Sequence, residues 1–67
     1  MQLYLVPKMS CAGCARTIEG AVKSLDPNAK ITCDLSTKEV AVETRQLPNL
    51  VAEALAAVGY NSTLLNA

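Results

Sequence analysis

The 67-residue sequence has no histidine, no tryptophan and no phenylalanine. Histidine is the commonest metal ligand and the usual general base near neutral pH. Without it, a metal must be held by sulfur or carboxylate. With Tyr4 and Tyr60 as the two aromatic residues, the core must be built from Leu, Ile, Val and Ala. Net charge is also missing: six Lys and Arg balance six Asp and Glu. These charges are interleaved, so there is no basic stripe of the kind nucleic-acid binding needs. No apolar run approaches the ~20 residues a membrane helix requires, so direct membrane insertion is not expected. Met1-Gln2-Leu3-Tyr4-Leu5-Val6-Pro7 lacks the charged start and long apolar stretch of a secretory signal. No phosphate loop, linker, repeat or low-complexity segment is visible.

A chain of 67 residues reads as one domain, residues 1–67. Folding at this size buries about 60% of the surface the unfolded chain exposes. That leaves no room for a second lobe to enclose a substrate.

The sequence does contain three cysteines. An odd count without a signal fits poorly with a disulfide scaffold. It fits a cytoplasmic location, where thiols stay reduced. Two of the three stand together in Met9-Ser10-Cys11-Ala12-Gly13-Cys14.

Apolar periodicity orders the elements. Leu3 to Pro7 reads as a strand closed by proline, with Leu3 and Leu5 on one face and Tyr4 and Val6 on the other. Both faces are apolar, so the alternation does not say which is core. From Ala12 to Leu25, residues Cys14, Ala15, Ile18, Ala21, Val22 and Leu25 follow the stripe of an amphipathic helix. Asp26-Pro27 stops it. Ile31, Cys33 and Leu35 alternate as a half-buried strand, Ser36-Thr37-Lys38 reads as a tight turn, and Val40 and Val42 mark the hairpin partner. A second helix places Leu47, Leu50, Val51, Ala54, Leu55 and Val58 on one face. Pro48 suits its first turn, and Gly59 suits the left-handed position past its end. Tyr60 to Leu65 reads as a last strand. The order βαββαβ predicts an α+β, ferredoxin-like sandwich: a four-stranded antiparallel sheet with two helices on one face.

This order places Cys11 in the first strand–helix loop and Cys14 in the first helical turn. Free backbone N–H groups and the positive end of the helix dipole favour thiolates there. Gly59-Tyr60 should come to the same end. Two thiolates at this spacing make either a soft metal site or a redox dithiol. Structural zinc wants four ligands. The alternation places Cys33 inward, where a free thiol behaves as a small hydrophobe. An open all-sulfur site suits a soft monovalent ion, and Cu(I) is the physiological candidate, although thiolate softness also admits Hg(II), Ag(I), Cd(II) and Zn(II).

Met9-x-Cys11-x-x-Cys14 at a strand–helix junction, together with Asp34-Leu35 and Gly59-Tyr60, resembles the heavy-metal-associated domain family over essentially the whole chain. Within the family it looks most like a small bacterial copper chaperone. The resemblance implies Cu(I) held by Cys11 and Cys14. It implies transfer by thiolate exchange to the matching dithiol of a copper-transporting P-type ATPase. It implies that Met9 tethers the loop from the core and that Tyr60 stands near the metal loop. Its hydroxyl could tune the thiolates from there or serve simply as a lid. One departure is Pro7-Lys8 where the family usually has a glycine before the methionine. That stiffens the loop entry and adds a positive charge, which with Arg16 forms a candidate rim for an acidic partner.

The expectation is a non-catalytic Cu(I)-transfer module, monomeric without metal, with a copper-bridged homodimer as a further arrangement. One alternative is the same unit as the N-terminal domain of a P-type ATPase or a mercury-handling protein. The positions of Met1 and Ala67, directly outside the first and last strands, favour a free-standing protein. A second alternative is a thiol–disulfide oxidoreductase. That reading is weakened by the short chain, the lack of proline within Cys-Ala-Gly-Cys and the lack of an aromatic residue before Cys11.

Overall fold

A computed structural model describes residues 1–66; Ala67, the last residue of the expected domain, lies outside them. The elements are β1 (Gln2–Leu5), α1 (Ala12–Leu25), β2 (Lys30–Asp34), β3 (Glu39–Glu43), α2 (Pro48–Ala57) and β4 (Thr63–Asn66). The expected order βαββαβ is the observed one. The strands form one antiparallel sheet in the order β2-β3-β1-β4. This is the ferredoxin-like arrangement.

Register settles which face of β1 is core. Gln2 lies opposite Val42, and Tyr4 lies opposite Val40. Directly opposed residues project to the same side of a sheet. Tyr4, Val6, Val40 and Val42 are fully buried beneath Ile18 and Val22 of α1 and Val51 and Leu55 of α2. Leu3 and Leu5, on the other face, are half-buried. Both β1 faces are apolar, but only one is covered by helices.

The ends of the elements follow local chemistry. In α1 the stripe holds, with Ile18 and Val22 innermost, and the Asp26 amide caps it by donating to the Val22 carbonyl. Pro48 opens α2. Gly59 closes α2 at φ +89°, a conformation costly for a residue with a Cβ. The Gly59 amide donates to the Ala56 carbonyl and the Tyr60 amide to the Leu55 carbonyl, both at 3.0 Å. This pair of bonds is the Schellman closure.

Several boundaries differ from the sequence expectation. Leu47 and Val58, expected on the buried face of the second helix, are 62% and 40% exposed because α2 has only ten residues and both flank it. Leu35 lies in the hairpin turn rather than in β2 and is exposed. Tyr60 and Ser62 precede β4, which begins at Thr63. The Schellman closure turns the chain at Tyr60, so pairing with β1 starts three residues later, at Thr63 opposite Leu5.

The sandwich has two loop-bearing ends. One gathers the β1–α1 loop, the β2–β3 hairpin and the α2–β4 turn. At the other meet the start of β1, the end of α1 and the approach to α2. There the Tyr4 hydroxyl donates to Gln2 Oε1 and lies 3.3 Å from the Pro48 carbonyl, while Gln2 Nε2 donates to the Gln46 carbonyl at 2.8 Å. Beside them the Thr44 hydroxyl donates to Asp26 Oδ2 at 2.6 Å.

Candidate metal centre

The β1–α1 loop begins as a turn. The Met9 amide donates to the Val6 carbonyl at 3.1 Å, with Pro7 between them. Proline at that position pre-sets the backbone for such a turn, as expected of a stiffened entry. Met9 then drops into the core and is fully buried beside Tyr4, Val6 and Ile18. An unbranched thioether fills such a gap readily. With its side chain inside, Met9 acts as an anchor for the loop.

Cys11 follows as the N-cap residue of α1, in extended backbone geometry and exposed, with no side-chain capping bond. Its carbonyl accepts the first helical bond, from the Ala15 amide at 3.2 Å. The amides ahead of Ala15 have no partner within the helix. Cys14 stands one turn on and is half-buried. The two sulfurs are 3.2 Å apart, close enough to share a proton. Ala12 and Gly13 between them leave the pair open to solvent; even a Cβ on Gly13 would sit 3.8 Å from the Cys11 sulfur.

The electrostatics favour a thiolate at Cys14. Its pKa is held down to about 6, first by the Tyr60 hydroxyl, then by the Ser10 backbone amide and the Cys11 thiol, with burial opposing weakly. The Tyr60 hydroxyl is pushed up in turn, chiefly because it donates to Cys14, then by burial and the two cysteine charges. No acidic side chain occupies the first turn of α1 to oppose the thiolate charge. Tyr60 packs against the core, placed by the Schellman closure.

Cys33 takes no part in this arrangement. It is half-buried against the core, and burial and then the nearby Glu19 charge push its thiol upward. Among the described residues no group of three or more His, Cys, Asp or Glu side chains is placed to hold a metal. The structure brings the two sulfurs of Cys11 and Cys14 together. Lys8 and Arg16, the expected rim, are both exposed. The cation that touches the loop is Lys38. Its ammonium donates to the Met9 carbonyl at 3.0 Å, across 29 positions of sequence. Nothing in the sequence around Lys38 announces that contact.

A model of the heavy-metal-associated domain matches residues 3–61. The chain belongs to the heavy-metal-associated domain family. Domains of this family bind heavy metals. Among curated proteins no sequence matches it. Several solved structures are similar to this family member. One is described as a gold binding protein, at 31% identity, covering 96% of this chain and 98% of that one, with a TM-score of 0.92. Another is the copper chaperone Atx1 from Synechocystis PCC6803, in a trimeric Cu1 form with a histidine-to-tyrosine substitution. It is 28% identical over 91% of this chain and 97% of that one, with a TM-score of 0.89. The N-terminal domain of ZntA, in its apo form, is 28% identical over 98% of this chain and 92% of that one, with a TM-score of 0.86. Among the described residues no helix is long and apolar enough to cross a membrane.

Proposed function

We propose that this chain is a cytoplasmic Cu(I) metallochaperone, that Cys11 and Cys14 are its metal ligands, and that it passes copper to the dithiol of a copper-transporting P-type ATPase. The observation that carries this reading is the exposed pair of sulfurs 3.2 Å apart at the start of α1, in a family whose members bind heavy metals. Likeness to a copper chaperone and a gold binding protein supports a soft, thiophilic cargo. Thiolates select such ions over hard cations.

The geometry supports capture and exchange by the same groups. Metal–sulfur bonds of ~2.3 Å placed in line would set the sulfurs ~4.6 Å apart. The observed separation is 3.2 Å. Loading therefore has to spread the pair, and exposed Cys11, with no capping bond to break, is the free partner. Met9 holds the loop from below without touching the cargo. Tyr60 supplies a hydroxyl to Cys14 and steadies its charge. A thiolate from a partner then adds to the metal as a third ligand, and Cys11 or Cys14 leaves.

Competition against a strong Cu(I) chelator tests the reading. The reduced wild-type protein should retain one Cu(I), and Cys11→Ser or Cys14→Ser should lose it. Stoichiometric retention by the double serine variant would overturn the assignment. The same titration run with Zn(II) and Hg(II) identifies the preferred cargo. The likeness to the ZntA N-terminal domain favours a second reading, the same two-sulfur site serving a transporter as its own N-terminal domain. A transfer assay separates the two, because a chaperone unloads Cu(I) onto a separate dithiol domain.

A further inference from the structure

The β2–β3 hairpin is built with unusual care at its last turn residue. The Asp34 carboxylate accepts from the Ser36 amide, the Ser36 hydroxyl and the Thr37 amide, and these donors lower its pKa. That fixed turn delivers Lys38 in a left-handed conformation, φ +60°, the one non-glycine residue with positive φ among the described residues. A long side chain rarely adopts this conformation, and glycine or asparagine meets it at lower cost. Such strain persists where the surrounding structure demands it, and it gathers at functional sites.

What this position achieves is a double hold on the dithiol loop. The Lys38 carbonyl accepts from the Val6 amide at 2.8 Å, and the Lys38 ammonium donates to the Met9 carbonyl at 3.0 Å. Val6 and Met9 are the two ends of the loop's opening turn. One residue of the hairpin thus grips both ends of the turn that leads to Cys11. The ammonium–carbonyl bond is partly buried, where a charged donor is worth more than at the open surface. Glycine and asparagine would suit the backbone but have no side chain long enough to span to Met9.

We propose that Lys38 is the positioning residue of the dithiol loop, holding the Val6–Met9 turn so that Cys11 and Cys14 face each other; the role rests on the metal-binding reading above. Cys11 leaves this turn two residues after Met9. A loop released at Met9 lets the Cys11 sulfur wander from Cys14, which lowers the fraction of molecules ready to chelate.

The test is amide hydrogen exchange on the metal-free protein, combined with Cu(I) competition, for Lys38→Met, Lys38→Gly and Lys38→Arg. Lys38→Met should speed exchange of the Met9–Cys14 amides several-fold while leaving Val40 and Val42 protected, and should weaken Cu(I) binding about three- to tenfold. Lys38→Gly should lose the same loop protection although its backbone suits the turn. Lys38→Arg, with a donor of similar reach, should restore both readouts. Wild-type loop exchange in Lys38→Met or Lys38→Gly would overturn the assignment. So would a uniform rise in exchange across loop and core that Lys38→Arg fails to rescue. If the wild type itself retains no Cu(I) while Lys38→Met loosens the loop, the metal reading fails and Lys38's hold on the loop stands.

Discussion

The two ends of the sandwich are secured by opposite means. At the end distant from the cysteines, polar side chains lock three segments together. Gln2 and Tyr4 reach Gln46 and Pro48, and Thr44 reaches Asp26. Gln2 is buried, so each of its bonds must be kept or the lost partner costs free energy. At the cysteine end the protein offers one apolar anchor, Met9, and one long cation, Lys38, both beneath the loop. The sulfurs above them are left exposed or half-exposed. The polar lock sits at the end away from the cysteines, and the end that carries them is held from beneath and left open above. A closed four-ligand site would hold a metal firmly but would offer no entry for a third thiolate.

The sharpest way to break this comparison is at the sulfurs. Replacing both Cys11 and Cys14 by serine should abolish Cu(I) retention, while the Tm of the metal-free protein falls only slightly, because Cys11 is exposed and makes no capping bond and Cys14 only borders the core. A large fall in Tm would mean that the sulfurs themselves help hold the fold together.

Met9→Ala comes next. Met9 is fully buried, so the variant should lose about 2–5 kcal/mol of unfolding free energy, read by denaturant melts, whereas Met9→Leu should lose less than about 1.5 kcal/mol. Equal losses in both would point to a direct role for the thioether sulfur.

Tyr4→Phe probes the other end. It leaves Gln2 Oε1 without its donor and should cost about 1–3 kcal/mol with Cu(I) affinity unchanged. Weakened binding in this variant would show that the two ends are coupled.

The smallest effect concerns pH. The folded Cys14 pKa, about 6, lies below the ordinary thiol value of 9.0, so folding favours the thiolate. The stability this adds is complete above the ordinary value and is lost as pH falls through about 6. Cys14 alkylation should therefore switch on near pH 6, while Cys33, pushed upward by burial, responds only in alkaline solution. Tyr60→Phe should move the Cys14 midpoint upward. An unmoved midpoint would take Tyr60 out of the site.

Much of this is legible from the chain before folding. The apolar stripe from Cys14 to Leu25 and its stop at Asp26-Pro27 place α1 at its observed bounds. Pro48 and Gly59 mark the ends of α2 because each suits its backbone geometry. The two-sulfur phrase is legible too, since its residues are neighbours in sequence. What escapes is set by register and distance. Leu3, Tyr4, Leu5 and Val6 are all apolar, so only pairing with Val40 and Val42 shows that Tyr4 and Val6 face the helices. Tyr60 reads as strand by alternation, yet the helix closure claims its amide first. Lys38 reads as an ordinary turn residue because its partner, Met9, lies 29 positions away.

X-ray absorption at the copper edge of the Cu(I)-loaded protein tests the central claim most directly. The account predicts a first coordination shell made of sulfur alone, supplied by Cys11 and Cys14. A shell containing nitrogen or oxygen from the protein would contradict it.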